Sequence, residues 1–131
     1  MAEQRARPLS PHLGIWRWGP GMTASIFHRI SGGALTVAGL AVLTWWLLSL
    51  ADGADAYVDF SAIAGTWVGL VVLIGLTWAF FQHLLSGIRH LIMDTGENFE
   101  LGGNKTSAIA TFVGAIVLTA AVWFYILGVA K

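Results

Sequence analysis

No cysteine occurs in the 131 residues of this chain. Disulfides, thiolate zinc sites and protein-ligated iron–sulfur clusters are therefore excluded within it. Charge is nearly as scarce: 11% of residues are charged against 56% hydrophobic, a balance that belongs to membrane proteins rather than soluble domains. Acidic and basic residues are equal in number, seven each, and so no basic surplus is available to a nucleic-acid partner. The opening residues, Met1 to Pro8, are polar and run into more polar sequence. No short apolar region with a small-residue cleavage site follows, so no signal peptide is expected.

What is present is three uncharged runs. Ile30–Ala51 holds 22 residues, Phe60–Ile88 holds 29 and Thr106–Ala130 holds 25. A span needs roughly 20 such residues. The expected fold is an all-α membrane protein with three transmembrane helices preceded by an interfacial N-terminal segment. It forms one anchor domain, residues 1–131, with an interfacial or cytoplasmic stretch over 1–24 and spans at about 25–51, 61–90 and 106–130. The second run exceeds what the hydrocarbon needs, so its histidine-bearing end is expected to reach the headgroups. No acidic residue lies inside any run, which disfavours a proton-coupled transporter.

Basic residues set the orientation. Arg5, Arg7, Arg17 and Arg29 precede or open the first span, Arg89 and Lys105 flank the second loop, and Lys131 ends the sequence. An N-terminus inside places six basic residues in the cytoplasm and one outside, with the C-terminus periplasmic in a bacterial inner membrane. Trp16, Trp18, Pro20 and Gly21 suit a chain lying at the interface, either as an ordinary aromatic belt or as the lining of a site facing a partner. Gly102, Gly103 and Asn104 read as a turn before the third span. Two stripes of small or polar residues, Ser25, Arg29, Gly32, Thr36 and Gly39 on the first span and Ser107, Thr111 and Gly114 on the third, read as helix-packing surfaces.

The stretch around which the chain is organised is His83–Asp94. On a helix, His83, Gly87, His90 and Asp94 share one face. An imidazole with a glycine one turn away has room for a flat, bulky group, and haem is the obvious candidate. His83 is the deepest ionisable group, about 9 Å inward of Arg89 at the helical rise. It is either a histidine hydrogen-bonded between helices or an iron ligand. One histidine supplies one axial position, and a second ligand would come from another subunit. Arg29, His28, Arg89 and His90 lie near the same membrane surface. They suit carboxylates such as haem propionates, or snorkel to headgroups. Ser25 and Arg29 form a donor pair one turn apart. A hydroxyl can relay a proton to a quinone and a guanidinium can stabilise its developing oxyanion, although Ser25 is equally suited to cap the helix.

Arg7-Pro8-Leu9 followed by Ser25-Ile-Phe-His28-Arg29-Ile-Ser31-Gly32 resembles the first signature of the cytochrome b anchor subunits of succinate dehydrogenase, complex II. His83-x-x-x-Gly87-Ile-Arg89-His90-Leu-x-Met93-Asp94 resembles the second, in order and at the expected separation, and the likeness covers nearly the whole chain. The resemblance implies one of two membrane anchors that hold a flavoprotein subunit and an iron–sulfur subunit at the membrane. Electrons from succinate would pass through those subunits to ubiquinone. It implies His83 as axial ligand of haem b, with the other ligand from the second anchor. Ser25 and Arg29 would belong to the quinone site, and His28, Arg29 and His90 to the propionate neighbourhood. Trp16 stands where many relatives have tyrosine. The chain has no flavin motif and no cluster ligands, so it is expected to be part of an enzyme and not catalytic alone. The same residues would serve a quinol:fumarate reductase anchor. A haem-free structural or transport subunit would leave the stripes as packing surfaces and the histidines as hydrogen-bonding groups.

Overall fold

The computed structural model describes residues 10 and 12–128. Arg5, Arg7, the Arg7-Pro8-Leu9 part of the first motif and Lys131 lie outside them. Among the described residues the chain is helical, with no strand. Three helical stretches are long and apolar enough to cross a membrane: Pro20–Asp52, Trp67–Asp94 and Leu101–Gly128. A short N-terminal segment precedes the first, as expected.

The first stretch has three parts: α1 (Pro20–Ala34), a π-helical turn (Leu35–Gly39) and α2 (Leu40–Asp52). It starts earlier than hydropathy suggests. Pro20 occupies the first helical turn, where its missing N–H costs nothing, and Gly19 is the extended residue before it. Ser25 therefore lies inside the helix and does not cap it. The π turn inserts a residue's worth of rotation, so the expected stripe is not one continuous seam. Gly32 and Gly39 are half-buried, whereas Arg29 and Thr36 are exposed.

Gly53, at φ 110°, makes a bend that other residues resist. It separates α2 from α3 (Ala54–Ala64), a short helix that carries Asp55 in its first turn. The long run from Phe60 is thus broken. Phe60–Ala64 ends α3, and Thr66 starts α4 (Trp67–Asp94) as a true N-cap, its hydroxyl accepting from the Gly69 N–H at 3.1 Å. Part of the run's apolar length therefore belongs to α3 and not to α4. The turn expected at Gly102–Asn104 is likewise displaced. α5 (Leu101–Gly128) already includes those residues, and the chain reverses over 95–100, with Gly96 at φ 94° and Asn98 at φ 63°.

α4 is the central helix, packed most extensively on α5 and then on α1. Its neighbours approach through small residues. A Cβ at Gly114 would come within 2.8 Å of Leu85 on α4, and one at Gly21 would collide with the Asn104 side chain on α5. The buried positions are small or polar: Ala24, Ala79, Ala108 and Ala115, with Ser31, Gln82, Ser86, Arg89, Thr111 and Thr119. Large side chains such as Leu91, Ile116 and Phe124 face outward. Lipid gives no hydrophobic reward for helix association, so close backbone approach and polar contacts between helices must supply it.

Candidate functional site

The α1-facing side of α4 carries His83, Gly87 and His90, all half-buried, with Asp94 exposed at the helix end. α1 meets this side with His28, Ser31 and Gly32. The His28 ring stacks on that of His83, centroids 4.1 Å apart and planes 12° from parallel. His90 lies 5.1 Å from His28 at a 56° tilt. Three imidazoles from two helices therefore follow one another from the middle of α4 toward the end where α1 begins.

The orientation of His83 follows from its contacts. Its Nδ1 is 3.0 Å from the main-chain carbonyl of His28. A carbonyl only accepts, so Nδ1 carries the proton and donates. Nε2 is then the nitrogen with the free lone pair. The Ser31 hydroxyl, 2% exposed, donates to the same carbonyl at 3.0 Å and lies 3.4 Å from Nδ1. The space for the ring comes from the facing helix. A Cβ at Gly32 would be 2.9 Å from His83 Cε1, whereas one at Gly87 would meet only His28 Nε2, at an ordinary 3.9 Å. The gap expected at Gly87 was for a flat group beside the imidazole, whereas the space for the ring itself comes from Gly32 on the facing helix. Helical periodicity within one helix cannot reveal which residue of another helix lies opposite, so Gly32 was legible only as part of a stripe.

Ser25 and Arg29 sit on the flank of α1, beside the histidines and not among them. Ser25 is half-buried and Arg29 exposed. Next to them the N-terminal segment turns at His12, whose carbonyl accepts from Ile15 and Trp16. Trp16 and Trp18 meet edge to face at 5.5 Å, and the Trp18 indole donates to Thr23 in the first turn of α1. A groove of about 480 Å³ lined by His12, Leu13, Trp16 and Met22 opens there, one turn from Ser25.

Arg89 belongs elsewhere. It is 6% exposed and turns toward α5, where its Nε donates to Ser107 at 3.0 Å, and its guanidinium also comes near Gly21 at the start of α1. Deeper on the same side, the Gln82 amide donates to Ser86 at 3.0 Å and to Thr111 at 3.4 Å. Sequence reading grouped Arg89 with the histidines. The rotation of about 100° between neighbours on a helix separates it from His90. Gln82 and Ser86, at i, i+4 with Arg89 at i+7, were the available signal for this second polar face.

Among the described residues no cluster of three or more His, Cys, Asp or Glu is placed to hold a metal ion by itself. The donor set offers one oriented imidazole, with its second nitrogen anchored to a carbonyl. That suits a single axial position on the iron of a haem rather than an all-protein metal cage.

Residues 3–122 match the family described as succinate dehydrogenase/fumarate reductase transmembrane subunit. The chain is 39% identical over 112 residues to the succinate dehydrogenase cytochrome b556 subunit of Paracoccus denitrificans, covering 86% of this chain and 85% of that protein. It is 36% identical to the protein of the same name in Rickettsia felis, covering 89% and 90%. It is also 34% identical to the mitochondrial succinate dehydrogenase cytochrome b560 subunit of Mus musculus, covering 85% of this chain and 66% of that protein. A match of this extent, on a three-span helical scaffold, settles the assignment: the chain belongs to the succinate dehydrogenase/fumarate reductase transmembrane subunit family.

Proposed function

We propose that this chain is the membrane-anchor cytochrome b subunit of a succinate:ubiquinone oxidoreductase, carrying one ligand of haem b and part of the ubiquinone-reduction site. Family membership supports the coarser part: a multi-pass membrane subunit of complex II, in which catalysis belongs to the assembly and not to this chain. The finer part rests on one observation, the His83 imidazole held between α1 and α4 with Nδ1 on the His28 carbonyl and Nε2 as the free donor nitrogen.

In this reading the flavoprotein and iron–sulfur subunits stand on the cytoplasmic side, where Pro20, Asp94 and Leu101 mark the helix ends. The N-terminus is cytoplasmic and the C-terminus periplasmic in a bacterial inner membrane, residues 1–131 form a single anchor domain surrounded by membrane lipid, and a second anchor subunit contributes the other haem ligand. Haem b, when bound, supplies a one-electron store beside the quinone site. His83 would hold the iron, and His28, Arg29 and His90 would offer cationic or hydrogen-bonding groups to its propionates. Ubiquinone takes two electrons, delivered by the iron–sulfur subunit, and two protons. The exposed Arg29 guanidinium stabilises negative charge on a quinone oxygen as it is reduced, and the Ser25 hydroxyl one turn away passes a proton to it. Trp16 and Met22 line a groove, with Met22 three residues before Ser25 on α1, and give the ring an apolar wall.

The experiment is a reduced-minus-oxidised optical spectrum of the complex purified from native membrane, with its subunit inventory. A b-type haem band together with flavoprotein, iron–sulfur and second anchor subunits is the expected result. A complex with no haem would reduce the chain to a structural anchor. The fumarate-reducing direction uses the same residues, and relative rates of succinate oxidation and fumarate reduction in that preparation distinguish the two.

A further inference from the structure

His83 is held in place by a pair of adjacent residues on the other helix, and neither would bind haem itself. Gly32 provides the seat: a Cβ there would be 2.9 Å from Cε1 and 3.3 Å from Nδ1 of the ring. The ring cannot simply swing away, because its Nδ1 is tied to the His28 carbonyl at 3.0 Å. Ser31 completes the hold. It is almost wholly buried, its hydroxyl donates to the same carbonyl, and its oxygen stands 3.4 Å from Nδ1 as a second acceptor. The main-chain carbonyl of His28 thus takes two hydrogen bonds from side chains, one from each helix. The π-helical turn begins three residues after Gly32.

We propose that Ser31 and Gly32 are positioning residues for His83: Gly32 sets where its ring lies, and Ser31 with the His28 carbonyl sets which nitrogen is protonated and how strongly the other one donates. The proposal rests on the reading of His83 as a haem ligand. Groups that hydrogen-bond the distal nitrogen of a ligating histidine raise its basicity and fix its plane, and their loss costs metal affinity about 10- to 100-fold. Gly33, the next residue along, faces open space, with nothing within 4 Å of an added Cβ. It provides an internal control for any general effect of alanine on the helix.

The test compares the intact complex carrying Gly32→Ala, Ser31→Ala, Gly33→Ala or His83→Ala. Haem content per complex, the low-spin electron paramagnetic resonance signature of the ferric haem and its midpoint potential are measured in each. Gly32→Ala should lower retained haem, and the remainder should show an altered signature. Ser31→Ala should keep its haem but shift both signature and potential. Gly33→Ala should match wild type. If His83→Ala loses the haem band while Gly32→Ala and Ser31→Ala both match wild type, the positioning role is overturned and the ligand assignment stands. If Gly33→Ala reproduces the Gly32→Ala change, the effect belongs to the helix and the proposal is likewise overturned. Retention of a normal haem in His83→Ala overturns both readings. Ser31→Ala removes a single oxygen from the helix, so it keeps the question open to refutation even if Gly32→Ala does not assemble.

Discussion

The two polar sides of α4 are treated in opposite ways. On the α5 side, Gln82, Ser86 and Arg89 are buried, and the Gln82 amide N–H and Arg89 Nε are bonded to Thr111 and Ser107 of the same chain, while Gln82 Oε1 has no partner among the described residues. On the α1 side, His83 and His90 are half-buried, and only one nitrogen of His83 is committed, to the His28 carbonyl. A polar group in hydrocarbon is costly unless something satisfies it. The bonds from Gln82 Nε2 and Arg89 Nε join α4 to α5. On the α1 side the chain orients an imidazole and leaves one nitrogen uncommitted, the arrangement on which the proposed haem ligation rests. The change from one kind of side to the other falls between the adjacent residues Gln82 and His83.

That contrast can be broken by substitution. Arg29→Ala, on the histidine side, should cut ubiquinone reduction on the order of 10²-fold, the usual cost of losing a donor to a developing oxyanion. Succinate oxidation with an artificial acceptor should be preserved, and equal loss of both activities would mark failed assembly instead. Arg89→Ala, on the α5 side, should do the reverse. It removes a buried stem and leaves the Ser107 hydroxyl without its donor, for a loss of about 2–3 kcal/mol. Thermal melting of the complex would register this, with both activities falling together and the haem spectrum unchanged per surviving complex. Gly21→Ala should destabilise by about 1 kcal/mol, because its Cβ meets the Asn104 side chain, and overpacking typically costs that much or more. Asn104→Ala in the same chain should restore the loss, which a melting curve of the double variant checks. The smallest effect is expected for Gln82→Leu. Interhelical hydrogen bonds in membranes average about 0.6 kcal/mol, so the melting temperature should barely move. A collapse of haem content in that variant would show that the two sides of α4 are coupled after all.

Much of the scaffold was legible in the sequence because lipid imposes a crude requirement, long uncharged length, and three runs met it. The ends of those runs were not legible in hydropathy. Phe60–Ala64 is as apolar as the body of α4, and only Gly65 and the capping Thr66 divide α3 from α4. Gly102, Gly103 and Asn104 have the composition of a turn, yet they form the first turn of α5, where the Asn104 side chain meets Gly21 of α1. At the site, periodicity correctly put His83 and His90 on one side of α4, and the structure brings His28 to them. It could not give the partner of each side chain. Arg89 was grouped by its neighbours in sequence, whereas its contact is with Ser107, 18 residues away on another helix. Ser31 and Gly32 were visible as letters of a motif, but their relation to a ring 52 residues distant needed three dimensions.

The central claim is that the nitrogen of His83 turned away from the His28 carbonyl binds haem iron. It is tested most directly by the reduced-minus-oxidised spectrum of the purified complex with His83→Ala, beside wild type at matched subunit content. The b-type band should be lost, or weakened with altered ligation. A band of unchanged position and intensity would contradict the claim.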